Sequence, residues 1–274
     1  MKLDEIGNWT EVKLEIIREY ASAYSKILSA QTRPKLQHFY IDAFSGSGLH
    51  ISKKSGEYVA GSTSNALDIT PPFQGFFFID IDKDKAQMLR KTTEGLENVH
   101  IYEADCNITL LAEVFPKVKY EDYRRALCLL DPYGLHLDWE VISKAGSMRS
   151  VEIFLNFPVM DMNRNILWKN PENVPADQIS RMNAFWGDES WRDVAYDTRQ
   201  SLFGYPVKTD NDTIALAFQE RLKKVAGFKH VPVPIPMRNS KEATVYYLFF
   251  ASPKPVAADI VSQIFDKYRK PGDQ

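Results

Sequence analysis

The chain alternates short, continuous apolar runs with segments whose apolar residues recur at helical spacing. Five runs are rich in aromatic and β-branched residues, which is typical of strands that are buried on both faces of a parallel sheet. Amphipathic segments that predict helices follow the first four runs. The five predicted strands are residues 38–43, 75–80, 99–103, 126–130 and 151–157. This alternation predicts an α/β fold with a doubly wound sheet.

The last third of the chain has a different pattern. Residues 230–237 and 244–251 predict a hairpin, and three prolines in its first arm place that arm at a sheet edge, because proline cannot donate to a ladder. Residues 158–209 are rich in Asn, Asp, Arg and Trp and predict a helical insertion. We therefore expect one domain over 1–274, with an N-terminal helix in 1–37 and a Rossmann-like seven-stranded sheet. The sheet is mostly parallel and ends in a C-terminal antiparallel hairpin.

Charge and cysteine content narrow the function classes. The 274 residues include 34 basic and 36 acidic side chains, which excludes a strongly basic nucleic-acid coat but allows a local basic patch. Cys106 and Cys128 are the only cysteines, too few for a disulfide framework or a zinc cluster, so we expect no metal site and a reducing, cytoplasmic location. No apolar run approaches the ~20 residues of a membrane helix, so no membrane association is expected.

Polar residues follow four of the predicted strands directly. Ligands of open α/β sheets bind at the carboxyl ends of the strands, beside the point where the strand order reverses. Here those ends carry Asp42 with the loop at 44–48, then Asp80, Asp105 and Asp131. If the sheet forms, these groups line one edge, and the sequence predicts a ligand site there.

The loop after the first strand contains Gly46 and Gly48. Glycines let the backbone turn sharply and let a ligand approach it closely, although a plain turn would use them as well. The dinucleotide fingerprint needs a small residue at its third position, where this chain has Ile51. A nicotinamide or flavin cofactor is therefore disfavoured. No Gly-Lys-Ser/Thr follows, so a Walker-type phosphate loop is absent.

The next two strand ends suit a nucleoside. Asp80 can accept hydrogen bonds from two ribose hydroxyls, whereas Asp82 begins a predicted helix and can cap it. Asp105 can accept from an adenine amino group or can cap the helix that follows. Cys106 has no evident cationic neighbour to lower its pKa, so we interpret it as a small apolar wall rather than a nucleophile.

The fourth strand ends in Asp131-Pro132-Tyr133-Gly134. Asp131 or a neighbouring carbonyl can accept hydrogens from an exocyclic amine, and Tyr133 can stack on a flat base. A β-turn is the alternative, because Asp and Pro are ordinary at its first two positions. We predict these four residues as the catalytic group.

Together these motifs resemble the class I S-adenosylmethionine (SAM) methyltransferases, through residues 39–48 (FYIDAFSGSG), 78–80 (FID), Asp105 and 131–134 (DPYG). More narrowly, the chain resembles the three-Cys-motif partner (TcmP) family. The matching features span most of the chain: Trp9-Thr10, Lys13-Leu14, the glycine loop, Gly61-Ser62, LLDPYG, Asn156-Phe157-Pro158 and the late YLFFAS at 247–252.

The resemblance implies SAM as the cofactor. It implies that Asp42, Gly46 and Gly48 hold the methionine end, that Asp80 holds the ribose and that Asp105 lies near the adenine. The predicted cofactor site also includes Phe44, Ser47, Ile81 and Cys106. Members of the family are encoded beside a partner with a three-cysteine motif. With two cysteines, this chain would be the methyltransferase-like member.

Two main hypotheses follow. In the first, the chain methylates an amino group of a nucleobase in DNA or RNA, together with the three-Cys-motif partner. Amino-directed enzymes carry Asp/Asn-Pro-Pro-Tyr/Phe, and here the second proline is missing. This departure favours the second hypothesis, a non-catalytic SAM-binding or scaffold role. A nucleotide-dependent oxidoreductase is a third class, which Ile51 disfavours.

The insertion is the predicted substrate-recognition segment of the first hypothesis. Basic residues interleaved with tryptophans suit a flipped or single-stranded base, but acids offset the charge and tryptophans often pack in cores. The basic and aromatic residues concerned are Arg164, Lys169, Arg181, Arg192, Arg199, Trp168, Trp186 and Trp191.

Overall fold

The computed structural model describes residues 4–197 and 207–269. Its strands are β1 (Asp4–Ile6), β2 (Gln37–Asp42), β3 (Leu49–Ser52), β4 (Tyr58–Ala60), β5 (Gly75–Asp80), β6 (Val99–Glu103), β7 (Arg124–Leu130), β8 (Val151–Phe157), β9 (Tyr196–Asp197), β10 (Val207–Lys208), β11 (Ile235–Arg238) and β12 (Thr244–Ala251).

The α-helices occupy most of the connections between the strands. They are α1 (Asn8–Ser29), α2 (Ser62–Leu67), α3 (Lys83–Thr92), α4 (Cys106–Thr109), α5 (Trp139–Met148), α6 (Val159–Asn165), α7 (Ala176–Trp186), α8 (Trp191–Ala195), α9 (Asn211–Lys224) and α10 (Pro255–Tyr268). A π-helical turn at Leu110–Val114 and 3₁₀ turns at Phe115–Lys117 and Pro171–Asn173 complete the helical segments.

Seven strands form the main sheet in the order β11-β12-β8-β7-β2-β5-β6. The five strands from β8 to β6 in this order are parallel, whereas β12 runs antiparallel to β8 and β11 runs antiparallel to β12. The predicted fold class is therefore confirmed, including the hairpin with its proline-bearing arm at the edge. The chain runs outward from β2 to β6 and then returns to β7. The strand order thus reverses between β2 and β7, and a ligand crevice is expected there.

Apolar side chains cover both faces of the sheet. On one face, Tyr20 of α1 makes edge-on ring contacts with Phe154 of β8 and Phe250 of β12. On the other face, Phe218 of α9 packs at ring distances of 4.7 Å from Phe157 and 5.6 Å from Phe249. Two helical layers therefore enclose the sheet, which explains why its central strands are continuous apolar runs.

A second, three-stranded sheet lies in a region where the sequence analysis predicts no strand. There β3 pairs with β4 as a hairpin, and β1 adds to β3 in parallel. An isolated hairpin is marginal in water, and β1 gives this one a third strand. The Ser52 hydroxyl also donates to Glu11 of α1 at 2.7 Å, which joins the small sheet to the first helix.

The described part of the insertion is mostly helical, with the short strands β9 and β10 paired near its end, and its tryptophans mostly pack inside the protein. Trp186 and Trp191 are 2% and 1% exposed, so they belong to the core rather than to a base-stacking surface. Arg192 lies over the Trp191 ring at 4.6 Å. Arg199 lies outside the described residues. Within the described ranges, no helix has the length and apolar character needed to cross a membrane.

Candidate active site

The loop between β2 and β3 requires glycine at two positions. Gly46 and Gly48 have φ angles of +62° and +82°, in the left-handed region that other residues rarely adopt. Gly46 lines a cleft, and nothing lies within 4 Å of the position that a Cβ would take there. Phe44 lines the same cleft, whereas the hydroxyl of buried Ser47 donates to the Leu49 carbonyl within the loop. The loop thus offers open backbone to a ligand.

Asp42 is a buried residue that contacts the start of the glycine loop through a hydrogen bond. Its side chain is fully buried, and its carboxylate accepts hydrogen bonds from the Ser62 hydroxyl and from the Phe44 backbone N–H at 3.2 Å. Burial raises the pKa of this carboxyl to about 7, although both hydrogen bonds lower it. Asp42 is not among the residues that line the cleft, whereas Ser62 is. Contact between Asp42 and a methionine end stays a prediction.

Asp80 lies at the cleft wall and is fixed by backbone donors. The Gly46 and Asp82 N–H groups each donate to its carboxylate at 2.8 Å. Ile81 lines the cleft beside it and is 76% exposed, which is unusual for an isoleucine. Asp82 caps α3 by accepting from Asp84 and Lys85, as its place after the strand suggested. The wall therefore pairs an oriented carboxylate with an open apolar surface.

Asp105 caps α4, which is one of the two roles that the sequence allowed. Its Oδ1 atom accepts from the backbone N–H groups of Asn107 and Ile108 at 2.9 and 3.1 Å. Neither Asp105 nor Cys106 is among the residues that line the cleft. Burial raises the pKa of the Cys106 thiol to about 12, which agrees with an apolar wall rather than a nucleophile. Ile108, 71% exposed, is an apolar surface that the sequence analysis did not select.

Asp131 follows β7 and forms an ion pair that the sequence analysis did not find. The Lys13 ammonium of α1 donates to Asp131 Oδ2, and the two side chains are 6% and 27% exposed. The same ammonium lies 5.4 Å from the centre of the Tyr246 ring. Lys13 and Asp131 both line the cleft. The carboxylate thus already has a cationic partner, in addition to any amine it could bind.

The rest of the Asp131–Gly134 loop forms the outer lip of the cleft. Tyr133 lines it but is 92% exposed, so its ring makes little contact with the protein. Gly134 has a φ of +72°, and a Cβ there would come within 3.0 Å of the Asp161 carboxylate and 3.3 Å of the Arg181 guanidinium. The insertion therefore packs directly against the predicted catalytic loop.

One cleft joins most of these groups. It has a volume of about 1100 Å³, large enough for a nucleoside-sized ligand together with a second planar group. Its lining combines predicted residues with residues that the sequence analysis did not place at the site. The predicted ones are Phe44, Gly46, Asp80, Ile81, Asp131, Pro132, Tyr133 and Gly134; the additional ones include Thr10, Lys13, His136, Asn156, Asp161 and Tyr246.

The comparisons support the fold. No protein-family model matches the sequence, and no curated protein matches it either. Protein LPL1258 from Legionella pneumophila, of the DUF519 family, has a similar structure at a TM-score of 0.52, with 12% identity over 95% of this chain and 94% of that one. At this identity the similarity shows a common fold alone. Together with the strand order, it supports a Rossmann-like α/β fold.

Two weaker structural matches are methyltransferases by name. A SAM-dependent methyltransferase from Leishmania major matches at a TM-score of 0.38 and 10% identity, over 89% of this chain and 82% of its own. A SAM-dependent O-methyltransferase from Thermotoga maritima matches at 0.35 and 12% identity, over 85% and 64%.

Proposed function

We propose that this chain is a SAM-dependent methyltransferase that acts on an exocyclic amino group of a nucleobase in DNA or RNA. The observation that carries the proposal is the cleft at the carboxyl edge of the sheet. Its wall presents the open backbone of Gly46, the oriented carboxylate of Asp80 and the exposed side chain of Ile81. A nucleoside cofactor needs these three kinds of group: an open loop, an acid for its ribose and an apolar surface for its base.

The residues present fit this cofactor. The empty space at Gly46 leaves room for the methionine end, and each Asp80 oxygen accepts one backbone N–H and has a further lone pair for a ribose hydroxyl. Ile81, in the lining of the cleft, offers an exposed apolar surface to the adenine. When bound, SAM would supply a methyl group to the lone pair of the acceptor nitrogen. The sulfur would keep the electron pair of the S–C bond, and the nitrogen would release one proton to water.

The protein contributes position rather than proton transfer. Holding the acceptor nitrogen in line with the methyl group converts a bimolecular step into one within a complex. Pro132 and Gly134 border the cleft where the acceptor would lie, and α6 and α7 close it from the insertion side. The three-Cys-motif partner belongs to the same proposal. Comparing methyl transfer to DNA and RNA with and without that protein tests its part.

A second candidate function is a non-catalytic SAM-binding or scaffold role beside that partner. The Lys13–Asp131 ion pair favours it, because the amine-accepting carboxylate of the loop is already paired. The 92% exposure of Tyr133 points the same way, since a ring that stacks on a target base needs a defined position. The two candidates share the cofactor site and differ only in whether the cleft holds an acceptor.

Calorimetric titration with SAM and S-adenosylhomocysteine tests the cofactor site. We expect micromolar binding by the wild type and a loss of roughly tenfold or more in Asp80→Ala, because hydrogen bonds to a charged group are worth about 1.5–3 kcal/mol each. Asp84→Ala is the matched control, an exposed acid in the first turn of α3. Absence of binding by the folded wild type, or full affinity in Asp80→Ala, would overturn the proposal.

A further inference from the structure

Asn156 borders the cleft and carries a buried acceptor without a partner. The residue is 8% exposed, lies near the end of β8 and belongs to the lining of the cleft. Among the described residues, no donor contacts its Oδ1 atom. Buried polar atoms nearly always have a partner, so an unpaired one in a binding cleft indicates a position for a ligand donor.

The register of the sheet places Asn156 beside the predicted catalytic loop. Leu130 of β7 pairs with Leu155 of β8 in the parallel ladder, so Asp131 and Asn156 are the next residues on adjacent strands. Asp131 is held by Lys13, whereas the Asn156 oxygen is free. On its other side Asn156 pairs with Leu248 of β12, whose side chain has no donor to offer.

Two side chains of the insertion also line the cleft with incomplete hydrogen bonding. Asp161 Oδ2 and Arg181 Nε are both buried without a hydrogen-bond partner among the described residues, and the Arg181 Nη2 atom forms an ion pair with that carboxylate at 3.7 Å. Both side chains line the cleft and flank Gly134. This part of the cleft therefore has one acceptor without a partner, Asn156 Oδ1, and an Asp161–Arg181 ion pair whose Oδ2 and Nε atoms make no hydrogen bond.

We propose that Asn156 Oδ1 accepts a hydrogen from the exocyclic amino group of the target base. Asp161 and Arg181 bind the remaining polar edge of that base. The inference rests on the proposed function and names the group that selects the substrate. Adenine and cytosine carry such an amino group, whereas thymine and uracil present a carbonyl oxygen that Asn156 Oδ1 repels. Asn156 thus adds an acceptor without a partner beside Asp131, whose Oδ2 atom already accepts from Lys13.

The test is a polarisation titration of labelled short homopolymers of adenine, cytosine and thymine or uracil, as DNA and as RNA. We expect the wild type to bind at least one amino-bearing homopolymer about five- to tenfold more tightly than thymine or uracil, the worth of one hydrogen bond. Asn156→Leu, which has nearly the same shape, should lose this preference. Asn173→Leu, an exposed asparagine outside the cleft, should keep it.

Two further readouts separate the possible failures. Asn156→Leu removes no protein hydrogen bond at Oδ1, so its unfolding midpoint in urea should not fall; Asn156→Ala serves as a second variant if Leu does not fit. Its affinity for S-adenosylhomocysteine should also equal that of the wild type. A wild type without base preference, or a Leu variant that keeps it, refutes the role of Asn156. If the wild type itself does not bind S-adenosylhomocysteine, the proposed function is refuted instead.

Discussion

Glu152 makes the stability of this protein depend on pH in the opposite sense to a surface carboxylate. It lies in β8, is 7% exposed, and accepts hydrogen bonds from the Tyr20 hydroxyl and, at 3.0 Å, from the Ser252 hydroxyl. Burial raises its pKa from 4.5 to about 7, and the hydrogen bonds only partly offset this.

The sign of the effect follows from the pKa values of the two states. Between pH 4.5 and about 7 the folded protein holds a proton that the unfolded chain has released. The free energy of unfolding therefore falls as the pH rises through this window. Since one pKa unit corresponds to about 1.4 kcal/mol, the full contribution of Glu152 is about 3 kcal/mol.

Replacing Glu152 with glutamine removes the titration and keeps the shape. Urea unfolding of Glu152→Gln and wild type across that window should show the variant gaining about 3 kcal/mol relative to wild type toward neutral pH. Taking the difference cancels Asp42, whose raised pKa acts in the same direction in both proteins. Glu140→Gln, an exposed glutamate on α5, is the control. Parallel curves for Glu152→Gln and wild type would refute the reasoning.

Two other substitutions have defined outcomes. Gly48→Ala should destabilise the protein by about 1–3 kcal/mol in urea unfolding and weaken cofactor binding, because φ is +82° and the new Cβ would lie 3.0 Å from the Thr63 hydroxyl. An alanine variant of wild-type stability would show that the loop can relax. Trp186→Ala should cost about 3–5 kcal/mol of stability by emptying a core position. Its nucleic-acid affinity should be unchanged at temperatures where it remains folded; a selective loss of that affinity would contradict its role in packing.

The side of the cleft that Gly46 and Asp80 line could be predicted from local sequence. Parallel strands that are buried on both faces are visible as apolar runs, and whatever follows such a run falls at the carboxyl edge of the sheet. Asp80 and Asp131, which line the cleft, follow from this reasoning, whereas Asp42 lies outside the lining. The sequence allows Asp105 to be either a helix cap or a ligand-binding residue, because an acid directly after a strand can take either role.

The acceptor side depended on contacts that sequence spacing does not encode. Lys13 and Asp131 are 118 residues apart, and a lysine on an amphipathic helix is usually solvated. Asn156 had a signal that could have been used, a carboxamide at the end of an otherwise largely apolar strand. The tryptophans of the insertion could have stacked on bases or packed, and only the three-dimensional contacts distinguish these roles.

The position of α1 has a consequence for synthesis on the ribosome. Its side chains reach partners far along the chain: Lys13 contacts Asp131 at a separation of 118 residues, and Tyr20 contacts Glu152 at 132. When α1 leaves the ribosome, neither partner has been translated. The apolar face of α1 is therefore exposed until the strands that it packs against have been made. Because non-local contacts form late and exposed apolar faces invite association, this helix is the segment that a chaperone would have to shield. The cleft is completed only after β7 and β8 have emerged.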